Sequence, residues 1–287
     1  MITPITPYNQ QPYNVSFSSK KMDSRRLARK VFESIKEINL LGAGNDSRAY
    51  IYDGNPRLVV LVPRSFRKKK SGTVDFLPVE RFESNFNYGQ AILASNNGIK
   101  ILKRVFGEEH SFHNWLGAIA RFDRLKKIPI PEAQQCLKGL KKISVFPLES
   151  YIDFARKIKF LNENNKVVDC INPNNVLINF RKKQFNIIDL WEKGKHGNNG
   201  VSGEDHMITL LLDGLLHGRL LKSLPMADAI ECRKVSRTII QKCKEASQIV
   251  GLPRTKDEIY RVFADCDGKY HHGLVGRYKT FNEIYNL

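Results

Sequence analysis

The sequence predicts an α+β fold, in which a small antiparallel β-sheet with one main helix is followed by a mostly helical region. Three observations support this prediction. Short β-branched runs separated by turns occupy residues 39–62. Residues 149–164, and most of the chain after residue 200, carry apolar side chains at helical spacing. Between these regions, residues 166–191 hold two short apolar runs joined by a polar turn, which is the pattern of a β-hairpin.

The composition indicates a globular protein with an unusually basic surface. The chain has 287 residues, of which 41% are apolar and 26% are charged, and 47 Lys and Arg against 29 Asp and Glu give a net charge of +18. This charge suits anionic partners such as nucleotide phosphates, nucleic acid, acidic proteins or an anionic lipid surface. No apolar run reaches about 18 residues, so the sequence predicts no transmembrane segment.

The cysteines and the N-terminal residues bear on the compartment. Five cysteines without a Cys-x-x-Cys pair favour a reducing, cytoplasmic environment over a disulfide framework or a zinc site. The sequence shows no hydrophobic signal peptide. Residues 1–21 are rich in Ser, Asn and Pro, which predicts a disordered leader. Such a leader resembles the export signals of bacterial effectors that act in a host cell; a plain flexible terminus is the alternative interpretation.

The first lobe is predicted over residues 22–148, beginning with a basic amphipathic helix over residues 22–38. Three strands follow, and Gly42 and Gly44 form a Gly-x-Gly turn after the first of them. Glycines at such a turn let backbone amides approach a phosphate group. A dinucleotide-binding βαβ unit also begins with Gly-x-Gly, but it needs a helix directly afterwards. The Asp53-Gly54 turn predicts another strand instead.

The remaining elements are predicted from periodicity. Those of the first lobe are a helix over residues 78–94 that carries Glu83, a strand over 99–106, a helix over 113–125 and a strand over 143–148. The last strand is expected to lead directly into the second lobe, residues 149–287. That lobe is predicted to contain helices over residues 149–164, 207–224, 226–250 and 256–264.

The predicted hairpin within residues 166–191 carries oxygen-bearing side chains at its ends. Asn175 directly precedes the first apolar run, and Asp189 follows the second. Because a hairpin brings the start of its first strand next to the end of its second, an amide oxygen and a carboxylate are expected to converge there. Mg²⁺ needs only one or two protein oxygens when phosphates and water complete its coordination. The sequence therefore predicts a magnesium site at Asn175 and Asp189.

This stretch resembles the catalytic and metal-binding loops of the protein kinase-like superfamily. The family pattern is His-x-Asp, four residues, Asn, an apolar strand and Asp-Phe-Gly. Asp189-Leu190-Trp191 stands at the Asp-Phe-Gly position, and Asn175 precedes the apolar strand. Counting back from Asn175 puts the catalytic Asp position at Cys170, whereas counting from Asn174 puts it at Asp169. A valine replaces the family's His in either register.

The resemblance implies a bilobal protein kinase-like fold that binds ATP and Mg²⁺ in the cleft. It further implies that Asp169 orients the attacking hydroxyl, while Asn175 and Asp189 hold Mg²⁺. The residues implied to contact the nucleotide, or to position such a contact, are Gly42, Gly44 and Ser47 in the glycine loop, Arg64 in place of the family's strand lysine, Glu83 as the partner of Arg64, and Glu149 beside the adenine.

The function implied is that of an ATP- and Mg-dependent phosphotransferase acting on Ser or Thr of a protein substrate. The alternative is a catalytically inactive pseudokinase, or a basic module that binds a protein or nucleic acid, because the family's His and strand lysine are absent. Nucleic acid ranks below protein as a partner, since the aromatic residues are not interleaved with basic ones as in a single-strand binding surface.

Overall fold

The computed structural model of the chain describes residues 24–43, 47–53, 55–66, 76–78, 91–104, 128–168, 175–188, 190–193, 200–212 and 220–255. The described residues fall into two compact units, one up to residue 104 and the other from residue 128 onward. As predicted, the chain is α+β: the first unit holds a six-stranded antiparallel sheet and a helix, and the second holds helices and two small sheets.

Helix α1 spans Ser24–Ser34 and is followed by a 3-10 turn at Glu37–Asn39, so the helix predicted over residues 22–38 forms but ends earlier. Leu27 and Val31 lie one turn apart on α1 and are both buried. They form part of the hydrophobic core of the first unit. Their i, i+4 spacing is what orients this basic helix with its apolar stripe toward the sheet.

The sheet of the first unit has the strand order β1-β2-β3-β6-β5-β4, and every neighbouring pair is antiparallel. The strands are β1 Leu40–Ala43, β2 Ser47–Ile51, β3 Leu58–Pro63, β4 Phe76–Pro78, β5 Ala91–Ser95 and β6 Lys100–Lys103. The three strands predicted within residues 39–62 are confirmed as β1 to β3, and the strand predicted over 99–106 is confirmed as β6. Leu58, Val60 and Val62 are buried on the face that packs against α1.

The helix predicted over residues 78–94 is wrong where the structure describes it. Pro78 closes β4, and Ala91–Ser95 form β5, which pairs with β6 as a hairpin. The hairpin turn contains Gly98 at a φ of 75°, a left-handed conformation that favours glycine. An Asn-Asn-Gly turn at residues 96–98 ends the apolar run, and this signal outweighs the helical spacing of the residues before it.

The second unit contains helices α2 Ile130–Ser144, α3 Leu148–Glu163, α4 Glu204–Leu212 and α5 Met226–Val250. The predicted helices over residues 149–164 and 226–250 are confirmed as α3 and α5. The predicted apolar face of α3 is buried throughout, at Tyr151, Phe154, Ala155, Ile158 and Leu161. In the part of the chain that the structure describes, no helix is long and apolar enough to cross a membrane.

Three of the remaining predicted helices fall wholly or partly outside the described residues. Helix α4 covers the start of the helix predicted over residues 207–224, and residues 213–219 are not described. The helices predicted over residues 113–125 and 256–264 lie entirely outside the described residues, as does the leader predicted over residues 1–21.

The strand predicted over residues 143–148 is wrong. Ile143 lies in the last turn of α2, and Pro147 stands at the N-cap of α3. The buried apolar residues of α2 recur at helical spacing, and Ile143 is the last of them: Ala133, Cys136, Leu137, Leu140 and Ile143. Because α2 packs against α5, the second compact unit already includes residues before 149, where the sequence placed the lobe boundary.

Two short antiparallel pairs complete the second unit. Strand β7 (Lys166–Val168) pairs with β10 (Leu190–Glu192), and β8 (Val176–Asn179) pairs with β9 (Gln184–Ile187). The β8–β9 pair confirms the predicted hairpin. Its inward-facing residues are fully buried, and β9 packs against α3. The hairpin is therefore held on a rigid helix.

Candidate functional site

The structure describes five of the nine predicted site residues. Gly42, Ser47 and Arg64 lie in the first unit, and Glu149 and Asn175 lie in the second. The other four, Gly44, Glu83, Asp169 and Asp189, lie outside the described residues. Around those four positions, the structure describes only the residues that flank them.

The backbone around the predicted metal ligands is paired twice. In the β7–β10 pair, Val168 stands opposite Leu190. One residue beyond the β8–β9 pair, the N–H of Ile188 donates to the carbonyl of Asn175 at 2.8 Å. Residue 169 follows the first of these paired residues, and residue 189 lies between Ile188 and Leu190. The structure thus holds Asn175 and the described neighbours of residues 169 and 189, the predicted catalytic residue and second metal ligand, in one small region of the second unit.

Asn175 is the one predicted metal ligand that the structure describes. It stands directly before β8 and is buried, with 4% of its surface exposed. Burial of a side-chain amide is costly unless the amide has polar partners. A buried asparagine at the end of the hairpin is therefore suited to a polar role, such as the oxygen ligand that the sequence predicts at Asn175.

Ser202 anchors the end of β7, and the sequence analysis missed it. Its hydroxyl accepts the N–H of Val168 at 2.9 Å, and the residue is fully buried. Asn162 then holds Ser202 with two bonds, because its amide donates to the Ser202 carbonyl at 2.7 Å and accepts the Ser202 N–H at 2.9 Å. Since these partners lie 34 and 40 residues from Ser202 in the chain, no local pattern could reveal them.

We expect Ser202→Ala to lower the free energy of unfolding by about 1–3 kcal/mol, because it leaves the buried N–H of Val168 without its acceptor. Urea denaturation measures the loss, and hydrogen exchange of the Val168 amide locates it. Ser236→Ala is the matched control, since Ser236 is equally buried but bonds the carbonyl of Cys232 within its own helix. Equal losses in the two variants would show that Ser202 does not anchor β7.

Lys157 of α3 holds strand β9 of the hairpin through a buried polar contact. The residue is 3% exposed, and its Nζ lies 2.7 Å from Asp153 Oδ2 and donates to the carbonyl of Phe185 at 2.8 Å. A buried ammonium paired in this way ties α3 to β9. The sequence did carry a signal for Lys157, because it interrupts the apolar face of α3 between Phe154 and Ile158.

A second buried polar cluster lies at the start of α4. His206 Nδ1 accepts the N–H of Gly203 at 3.0 Å and lies 2.9 Å from Thr255 Oγ1, and Asp205 accepts the N–H of Thr255 at 2.6 Å. Burial lowers the pKa of His206 to about 3, and burial also raises the pKa of Asp205. A Cβ added at Gly203 would collide with the Pro253 carbonyl oxygen, so this junction accepts only glycine.

Gly42 and Ser47 flank the predicted glycine loop. Gly42 stands opposite Ala49 after an irregularity in β1, and Ala49 stands opposite Leu61 of β3. A Cβ added at Gly42 would meet no atom of the described residues within 4 Å, so none of them crowds this backbone. Since side chains alternate along a strand, Ala49 and Leu61 lie on the face away from α1.

Arg64 lies apart from that face. It lines a surface groove on the α1 side of the sheet, together with Phe32 of α1 and Val62 of β3. Ala49 and Leu61 occupy the opposite face, as described above. The role of Arg64 toward nucleotide phosphates stays a prediction.

Glu149 does not occupy the position on which its predicted role depended. It lies exposed in the first turn of α3, and the strand that was to present it to an adenine ring does not form. Its neighbour Phe146 is buried against Phe185, with ring centroids 5.4 Å apart. Phe146 therefore serves the core of the second unit.

The described residues contain no group of three or more His, Cys, Asp and Glu side chains able to hold a metal ion. The described cysteines 136, 232 and 243 are buried thiols, and burial raises the pKa of Cys136 and Cys232 to about 12, which removes them as nucleophiles at neutral pH. Comparison of the chain with models of known protein families and with curated protein sequences finds no match.

Proposed function

We propose that the chain binds ATP with Mg²⁺ and transfers a phosphoryl group to a Ser or Thr hydroxyl of a protein substrate, in the manner of protein kinase-like enzymes. The observation that carries the proposal is the double pairing in the second unit, of Val168 with Leu190 and of Asn175 with Ile188. In the sequence, Asp169 directly follows Val168, and Asp189 stands between Ile188 and Leu190, so both adjoin this paired backbone along the chain.

The donor set suits the metal. An amide oxygen from Asn175 and a carboxylate from Asp189 are the hard oxygen ligands that Mg²⁺ takes when phosphates and water supply the rest. Bound there, Mg²⁺ would neutralise charge on the phosphates. Asn175 is buried at the end of the hairpin, and β9 is fixed on α3 through Lys157, so the ligand position is held by rigid elements.

Asp169 supplies the remaining role. Its carboxylate would orient the substrate hydroxyl and take its proton as the hydroxyl oxygen bonds to the γ-phosphorus and the bond to ADP breaks. Phosphoryl transfer depends mostly on positioning and charge stabilisation, so few side chains are needed. Ser202 contributes indirectly, because it fixes Val168, the residue directly before Asp169.

Asp189→Asn tests the metal assignment, because it removes one charge and keeps the shape of the side chain. We expect calorimetry to show that Mg²⁺ strengthens ATP binding to the parent protein. In Asp189→Asn this gain should fall at least about tenfold, the smaller end of the loss for groups that merely orient a metal ligand.

Asp228→Asn is the control, since it removes the same charge from the first turn of α5, where Asp228 accepts a bond from Gln134. This variant should bind Mg-ATP as the parent does. If Asp189→Asn kept the full effect of Mg²⁺, the metal site would not be at Asp189 and the proposal would fail.

One observation favours the inactive alternative. No lysine lies within β3, and its last residue is Pro63, so the described strand presents no ammonium group to a phosphate. A parent protein that binds Mg-ATP but transfers no radiolabelled phosphate to a Ser/Thr peptide library would be a pseudokinase. A parent that binds no nucleotide, but binds nucleic acid with steep salt dependence, would be a basic binding module.

A further inference from the structure

The first unit carries a surface groove that the proposed function does not use. Its volume is about 400 Å³, and it lies between α1 and the adjoining ends of β2 and β3. The apolar residues that line it include Phe32, Ile35, Tyr50, Val62 and Phe66. All of the described residues that line the groove belong to the first unit.

The floor and one wall of the groove are formed by packed apolar side chains. Tyr50 and Val62 are 6% and 7% exposed and belong to the hydrophobic core. The Phe32 and Phe66 rings stack at a centroid distance of 6.0 Å and an interplanar angle of 19°. Phe32, Ile35 and Phe66 keep part of their surface open. An apolar side chain could therefore bury itself here without rearranging the core.

Two guanidinium groups stand at the same groove. Arg48 pairs with Val62 across β2 and β3 and so lies on the groove face, and Arg64 follows the end of β3. Both residues are exposed, and neither forms an ion pair with any described residue. Residues 67–70, Arg-Lys-Lys-Lys, follow directly after Phe66 in the sequence. The groove thus joins an apolar floor to two guanidinium groups that pair with no carboxylate among the described residues.

We propose that this groove binds an acidic segment of a partner protein, with an aromatic or aliphatic side chain in the groove and neighbouring carboxylates on Arg48 and Arg64. Arginine is suited to this because its planar fork meets a carboxylate with two parallel hydrogen bonds. The chain's own residues 1–22 contain no Asp or Glu, so they lack the complementary charge. A concave apolar floor also fits an inserted side chain better than it fits a flat lipid surface.

The test begins with a library of random 12-residue peptides displayed on phage, selected on the full chain. We expect the selected peptides to combine Glu or Asp with an aromatic or aliphatic residue. A fluorescently labelled copy of the strongest peptide is then titrated against the parent and against Arg48→Glu combined with Arg64→Glu. Loss of two charge-assisted contacts should weaken binding at least about 100-fold.

Arg233→Glu combined with Arg237→Glu is the matched control, because it makes the same change in net charge on exposed positions of α5. Its affinity should stay within about threefold of the parent, since distant exposed charges are largely screened. Peptide variants guard against a folding defect in the protein: replacing the acidic residues by Gln, or the apolar residue by Ala, should each weaken binding to the unmodified chain at least about tenfold.

Three results would overturn the proposal. One is a selection that yields only peptides binding the Arg48/Arg64 variant as well as the parent. Another is equal weakening by both double variants, which would indicate net charge rather than the groove. The third is binding of anionic lipid vesicles or of RNA that is lost in the Arg48/Arg64 variant while no peptide is selected. Failure of this proposal leaves the nucleotide test untouched, because that test changes Asp189 of the second unit, whereas this one changes Arg48 and Arg64 of the first.

Discussion

Phe185→Ala is expected to lower the free energy of unfolding of the second unit by about 3–5 kcal/mol, the usual cost of removing a buried phenylalanine ring. Phe185 is fully buried on β9. Its ring centroid lies 5.4 Å from that of Phe146 and 5.2 Å from those of Tyr151 and Phe154. Truncation therefore leaves a cavity among three rings, two of which belong to the rigid helix α3 and cannot collapse into it.

Urea denaturation followed by circular dichroism measures this effect. Phe180→Ala is the control, because Phe180 lies on the same hairpin but is only half-buried, with its ring 6.1 Å from Phe146. The control should lose less than about 1.5 kcal/mol, and Phe185→Leu should fall between the two variants. A loss at Phe185→Ala no larger than at Phe180→Ala would mean that the aromatic cluster is not the centre of this core.

The same substitution also bears on the candidate site. Ile178 and Phe185 face each other across the hairpin, and the hairpin sets the bond between Asn175 and Ile188. Loosening of β9 should therefore expose the amide of Ile188 to hydrogen exchange. This consequence follows from the packing alone and holds whether or not the chain binds nucleotide.

The hairpin and its supporting helix could be predicted because their signals are local. The run from Val176 to Ile187 has β-branched residues on both sides of a polar turn, and Lys183 in that turn adopts a φ of 53°. Helix α3 repeats apolar residues every three to four positions, and each of them is buried. Local pattern was sufficient here because each element also buries the face that its own sequence makes apolar.

Prediction failed where two periodicities overlapped. Ala91, Ile92 and Leu93 continue a helical spacing from residues before them, yet they form β5, because the Asn-Asn-Gly turn returns the chain to β6. Ile143 continues the apolar periodicity of α2. Because Val145 and Phe146 follow it closely in the sequence, the three residues resemble the apolar run of a short strand. In both cases a turn or cap residue, not the apolar run, decided the element.

The hairpin is the only part of the candidate site that could be predicted from the sequence. Asn175 and Asp189 are predicted from the hairpin pattern, and their metal-binding role stays a prediction, whereas the partners of the β7 end, Ser202 and Asn162, are joined by long-range bonds with no sequence signature. Three-residue strands such as β7 and β10 also carry too little pattern to be recognised singly. Each of these segments is a strand only because it pairs with the other. Such pairing depends on the tertiary fold and not on the local sequence.

Acid should destabilise the second unit through His206. The ring is 1% exposed, and because burial lowers its pKa to about 3, the folded protein keeps it neutral where the unfolded chain takes up a proton near pH 6.5. The unfolded state thus binds more protons below that pH, and stability falls as the pH drops. Between about pH 7.5 and about pH 5.5, this one group should cost about 1.4 kcal/mol.

The carboxyl groups near His206 determine the pH range in which its effect on the free energy of unfolding can be measured. Asp205 has a raised pKa through burial, so it contributes the opposite trend: the folded state gains stability as the pH falls toward the pKa of this carboxyl. Glu204 is buried beside Arg254, with 3.8 Å between Arg254 Nε and Glu204 Oε1. Above about pH 5.5 unperturbed carboxylates keep their charge, so within this cluster the measured slope combines His206 with Asp205, whose pKa burial raises.

His206→Asn isolates the effect, because the Asn Oδ1 can take the place of Nδ1 as acceptor for the Gly203 N–H and does not titrate. The variant is expected to be less stable at neutral pH, since the smaller side chain leaves space, but its urea midpoint should change less between about pH 7.5 and about pH 5.5. All other groups titrate alike in the two proteins, so the difference between their slopes belongs to His206. Parallel slopes would show that the folded protein admits the proton after all, and that the start of α4 opens to water in the native state.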